Sequence, residues 1–175
     1  MRLRVNTEGE NANEQAIATR EFSQGDIMRM NFFLDITSLS ISKAYRYENS
    51  FNVATVYYKH ATEKERKRRA ELYLNATRLM NDYANQARNA VCGEPQQVII
   101  VFDNILSRKA SRYFEAGETE RENILKELDE RGAQYFIGDD RTENSVLKAY
   151  NEALEFLQSN ELYTCNSDDS EVRSF

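Results

Sequence analysis

Gln96 to Asn104 reads QQVIIVFDN, five consecutive apolar residues set between two glutamines and an acid. An unbroken run of this length, rich in β-branched residues and stopped by Asp103, predicts a strand buried on both faces. Gly93 and Pro95, just before it, are placed to end a helix. Working outward, Met28 to Thr37 (MRMNFFLDIT) is a second apolar run and breaks at Asp35. Downstream, Glu118 to Arg131 has helical periodicity closed by Gly132, and AQYFIGDD (133–140) is a strand ending in Asp139 and Asp140. Glu143 to Ser159 is a further helix, and ELYTCNSDDSE (161–171) gives a short strand ending at Asp168 and Asp169. Upstream, Thr62 with Glu65 three residues later forms a capping box, opening a helix whose Leu72, Leu79, Met80 and Tyr83 predict a sheet-facing side. Strands near 31–36, 97–102, 133–138 and 161–165, alternating with helices, predict an α/β fold with a parallel sheet and right-handed crossovers. The aromatic and β-branched stretch from Tyr45 to His60 reads as a strand, a hairpin insertion or an irregular loop.

Composition narrows the class. The 175 residues suit a single domain, here 26–175 after a polar arm at 1–25, and 41% hydrophobic with 30% charged residues is ordinary for a chain that folds. The longest apolar run falls far short of the ~20 residues of a membrane helix, and Met1 opens on charged and polar residues, so neither a membrane span nor export is expected. Cys92 and Cys165 have no zinc-type spacing and are too few for a disulfide framework, which points to free thiols in a reducing, cytoplasmic setting. A net charge of −6 argues against a surface that is basic throughout.

Each predicted strand ends in acid: Asp35, Asp103, Asp139 with Asp140, and Asp168 with Asp169. In an open parallel sheet those ends form the ligand crevice, and carboxylates gathered there repel unless a cation such as Mg²⁺ or Mn²⁺ neutralises them. The competing reading gives each Asp a local role, capping the following helix or closing a turn.

On these residues the chain resembles the PIN-like and NYN-type ribonuclease domains, in particular the YacP-like branch. NFFLDITSLS (31–40) is similar to the family's opening strand, QQVIIVFDN to its second, and GAQYFIGDDRTENSVLKAY (132–150) to its strand, turn and helix. Asn144 stands where that family has an acid, with Glu143 as its neighbouring substitute, and TCNSDDSEV (164–172) looks like the family's last acidic turn. The resemblance implies a three-layer sandwich around a mainly parallel central sheet. It also implies a metal-dependent endoribonuclease, with Asp35, Glu143 and Asp168 catalytic, and Asp35, Asp103, Glu143, Asp168 and Asp169 holding Mg²⁺ or Mn²⁺. The alternative is a degenerate domain of this kind, acting as an RNA-binding or protein-interaction scaffold. A phosphoacceptor or hydrolase with Asp35 as nucleophile lacks a Gly-rich phosphate loop to support it.

Lys64, Arg66, Lys67, Arg68 and Arg69 form the one dense basic cluster and are candidate RNA contacts, against the plainer reading of a helix face paired with Glu63, Glu65 and Glu71. Tyr45, Tyr47, Tyr57 and Tyr58 could stack unpaired bases of single-stranded RNA or pack in a core or interface, and a homo-oligomer is open. The lone His60 is read as a packing or surface residue, and the Asn75 sequon as incidental.

Overall fold

The computed structural model describes residues 29–80 and 94–162, together with short strands at 2–4, 17–19 and 170–174. The chain divides into two units. In the first, 1–30 with 81–93, β1 (Arg2–Arg4) pairs antiparallel with β2 (Ile17–Thr19), both within the stretch expected as an irregular arm.

The second unit, 31–80 with 94–175, holds β3 (Ile41–Glu48), β4 (Phe51–Lys59), α1 (Glu63–Arg78), β5 (Gln97–Phe102), α2 (Glu118–Glu130), β6 (Gln134–Asp139), α3 (Val146–Ser159) and β7 (Ser170–Ser174). It has two separate sheets. One runs β3-β4-β7, with β3 antiparallel and β7 parallel to β4. The other is an antiparallel ribbon of β5 and β6.

The expected three-layer sandwich with a mainly parallel central sheet is therefore overturned. Segments 97–102 and 134–139 are strands as expected, yet they run in opposite directions. The cause lies in the chain between them. Residues 103–117 travel back along the ribbon, so Tyr113 and Phe114 line a cleft with Gln97 and Asp139, while Arg131 after α2 reaches Asp103 at 3.1 Å. The helix thus delivers the chain to the end of the ribbon where β5 finished, and β6 must run the other way. Residues 31–35 are not a strand, and 36–40 form turns. Of the expected strand at 161–165, residues 161–162 are irregular and the rest lies outside the described residues.

The ribbon is covered on both faces. Ile100 packs with Val146, Tyr150 and Ala153 of α3, joined by Val98, Phe102 and Phe136. On the other side Ile124 and Leu128 of α2 pack with Ala116 and Ala133, joined by Val101 and Tyr135. Burying each such aliphatic side chain contributes about 1.5–3 kcal/mol, which is what fastens helices to so narrow a sheet. Gly138 permits the close approach of α3: a Cβ there would sit 2.7 Å from the Cα of Val146. A third cluster joins Ala70 of α1 to Leu157, Leu162, Leu34, Ile36 and Leu39.

Thr62 caps α1 by accepting the Glu65 N–H, as the capping box predicts. The buried side of α1 is a different one from that expected: Arg66 and Ala70 are buried, whereas Leu72 and Leu79 are exposed, and Tyr83 lies outside the described residues. The stretch 45–60 resolves as the hairpin β3-β4. Its two-residue turn, Asn49 and Ser50, has φ of 51° and 68°, the left-handed pair that lets a tight turn follow the strand twist.

Candidate functional site

The predicted acids take up several different situations. Asp103 and Asp139 sit at opposite ends of the antiparallel ribbon, about 20 Å apart by strand rise. Asp103 pairs with Arg131 and accepts the Ile105 N–H at 3.0 Å. Asp139 accepts from the Arg141 guanidinium at 2.7 Å and 2.9 Å, from the Arg141 N–H, and from Gln97. The Arg141 hydrogen bond, helped by the backbone N–H and Gln97, holds its carboxyl well below the usual range. Asp140 accepts the Val146 N–H at 2.8 Å and so caps α3 alongside Ser145.

Asp35 lies towards the other end, since its neighbours Leu34 and Ile36 pack in the cluster that includes Phe102. Both of its carboxylate oxygens are engaged locally, one by Thr37 and the other by the Ser38 hydroxyl at 2.6 Å. The hydrogen bonds from Ser38 and then Thr37 lower its pKa. Glu143 is exposed on the loop that follows Asp139, at the end of the ribbon remote from Asp103. Asp168 and Asp169 lie outside the described residues. Among the described residues no group of three or more His, Cys, Asp or Glu side chains is arranged to hold a metal ion. Mg²⁺ or Mn²⁺ needs several oxygen ligands converging on one point, and Asp103 and Asp139, at opposite ends of the ribbon, do not both reach one such point.

Asn144, read as a lost acid, has a structural task. Its side chain donates to the Ile137 carbonyl at 2.8 Å, and its own carbonyl accepts the Asp139 N–H at 2.7 Å.

The basic run of α1 is largely engaged. Arg66 is 0% exposed and donates to the carbonyls of Leu39 (2.9 Å) and Ile36 (2.8 Å) and to Glu63 (2.9 Å), clamping the 36–40 turn to the helix. It presents nothing to a phosphate. Arg68 and Arg69 both pair with Glu65, at 2.7 Å and 2.9 Å, and hold its carboxyl at about 2. Lys67 donates to the Gln158 carbonyl at 2.9 Å. Lys64 is exposed. Pairing with Glu63, Glu65 and Glu71 was the plainer reading of this run; Glu63 and Glu65 do pair with it, whereas Glu71 accepts from Gln158.

The β3-β4 hairpin is built differently. Tyr45, Tyr47 and Phe51 are 50%, 62% and 74% exposed, and Lys43 lies over the Tyr45 ring at 5.0 Å. Lys43, Arg46 and Lys59 against Glu48 give residues 41–59 a local charge of +2 in a chain of −6. Tyr57 and Tyr58 are half-buried. Exposure of this kind has no signature in sequence periodicity, though the aromatic density of 45–58 does point to the region. No helix among the described residues is long and apolar enough to cross a membrane.

Comparison of the chain with family models, curated proteins and solved structures yields no match.

Proposed function

We propose that this chain binds single-stranded RNA on the β3-β4 hairpin and does not cleave it. The observation that carries this reading is the set of three large aromatic side chains, Tyr45, Tyr47 and Phe51, displayed on a hairpin of net positive charge. Unpaired bases stack on exposed rings at about 1–3 kcal/mol each, whatever their sequence, and Lys or Arg beside the rings attracts the phosphates. Separation of Asp103 from Asp139 and the local engagement of Asp35 favour binding over hydrolysis.

The test is a fluorescence anisotropy titration of labelled oligouridylate, with Mn²⁺ present, followed by electrophoresis of the same RNA. Wild type should bind and leave the RNA intact. Tyr45→Ala with Tyr47→Ala should weaken binding at least tenfold, and Lys43→Ala should flatten the salt dependence by about 0.7 of a logarithmic slope unit. Cut RNA would restore the metal-dependent endoribonuclease reading. Wild type that leaves the RNA free, or binding unaffected by the tyrosine changes, would remove the hairpin from the account.

A further inference from the structure

The open end of the β3-β4 hairpin carries a hydroxyl and an imidazole that RNA binding leaves unused. Ser42 pairs across the hairpin with Tyr58. His60, two residues beyond Tyr58, therefore lies diagonally across from Ser42 on the same face. The His60 backbone N–H donates to the Ser40 carbonyl at 2.9 Å, which fixes the root of the imidazole against the start of β3. Its Nε2 lies 2.6 Å from the Ser42 Oγ. With the ring proton on Nδ1, Nε2 accepts the Ser42 O–H and is in place to take that proton as the oxygen attacks. Both residues are exposed, so a substrate can reach them.

A cation stands beside the pair. Ser40 has a φ of 61°, and its hydroxyl accepts from the Arg69 Nη1 at 2.9 Å. Glu65 holds the Arg69 Nε at 2.9 Å, so the guanidinium is braced from α1 while it points to the start of β3. Ser40 bonds His60 and precedes Ser42 by two residues, which sets the guanidinium one residue pair along from the Ser42–His60 contact. A fixed positive donor there can stabilise the oxyanion that forms when a carbonyl is attacked.

We infer that Ser42, His60 and Arg69 form a second site, independent of RNA binding, that hydrolyses carboxylic esters by acyl transfer. Ser42 Oγ bonds to the ester carbonyl carbon, its proton passes to His60 Nε2, and the carbonyl electron pair moves onto the oxygen beside Arg69. Collapse of that adduct breaks the bond to the leaving alcohol, which takes the proton from His60. Water then attacks the acyl group by the same route, releasing the carboxylic acid and restoring Ser42.

Labelling of the full chain with a fluorophosphonate, located by peptide mass spectrometry, tests this. Ser42 Oγ displaces fluoride from phosphorus and leaves a stable adduct. The folded chain should be labelled at Ser42, and the guanidinium-unfolded chain should not. Ser42→Ala should abolish the adduct, and His60→Gln should slow its formation by about 10²–10⁴. Arg69→Gln should cut the Ser42-dependent release of p-nitrophenol from its acetate ester by about 10²–10³. Should a variant not fold, the comparison of folded with unfolded wild type still decides. No Ser42 adduct on the folded wild type, an adduct that forms as fast in His60→Gln, or p-nitrophenol release unchanged in Arg69→Gln overturns the proposal.

Discussion

The β5-β6 ribbon and the β3-β4 hairpin are both antiparallel strand pairs, yet they use their side chains in opposite ways. The ribbon carries an uncharged strand, is enclosed by α2 and α3, and has acids at its ends bound into local tasks: Asp103 to Arg131, Asp139 to Arg141, and Asp140 to the start of α3. The hairpin leaves Tyr45, Tyr47 and Phe51 exposed beside Lys43 and Arg46. Carboxylates consumed by turns and caps stabilise a fold without being offered to a ligand, whereas aromatic rings in water contribute little to folding. In this chain Asp35, Asp103, Asp139 and Asp140 take local structural partners, whereas Tyr45, Tyr47 and Phe51 are presented outward.

The largest effect that would sharpen the contrast comes from Arg66. Arg66→Ala strips two carbonyls and Glu63 of their buried partner and should lower stability by about 3–5 kcal/mol in urea titrations. A loss below about 1 kcal/mol would place Arg66 among ordinary surface charges. Gly138→Ala drives a methyl against Val146 and the Ser145 carbonyl and should cost about 1–3 kcal/mol, by the same measurement, as α3 is pushed off the ribbon. On the hairpin, by contrast, Tyr45→Ala should change stability by less than about 0.5 kcal/mol while weakening RNA binding.

The smallest effect concerns acid. Asp139 has a depressed pKa in the folded chain, so its contribution is present above the ordinary value of 3.8 and is lost as pH falls through the lower folded value. Asp139→Asn should therefore lose less stability than wild type between about pH 5 and pH 2. An unchanged acid profile would show that the Arg141 pairing, on a surface open to water, has no net effect.

Local patterns in the sequence were readable where local physics decides them. Five apolar residues ending at Asp103 do form a strand, Thr62 with Glu65 does open a helix, and Gly132 at φ +70° does follow α2. Direction was not readable from the alternation of strands and helices alone. The available signal was the fifteen-residue stretch 103–117, longer than the two to six residues that usually join a strand to a crossover helix. Arg66 was misread as part of a surface run because its neighbours are charged. Its spacing of four from Ala70 and eight from Leu74, both in the core clusters, puts it on the inward face. For the acids, a strand end reads the same in sequence whether its partner runs parallel or antiparallel, and only the pairing tells whether Asp103 and Asp139 share an end.

Photo-crosslinking of the intact chain to 4-thiouridine-substituted single-stranded RNA, with the adducts located by mass spectrometry, tests the central claim most directly. Adducts on Tyr45, Tyr47 or Phe51, with the RNA recovered at full length, are the predicted result. Adducts confined to the α1 run or to the strand-end acids, or RNA shortened in the presence of Mn²⁺, would contradict it.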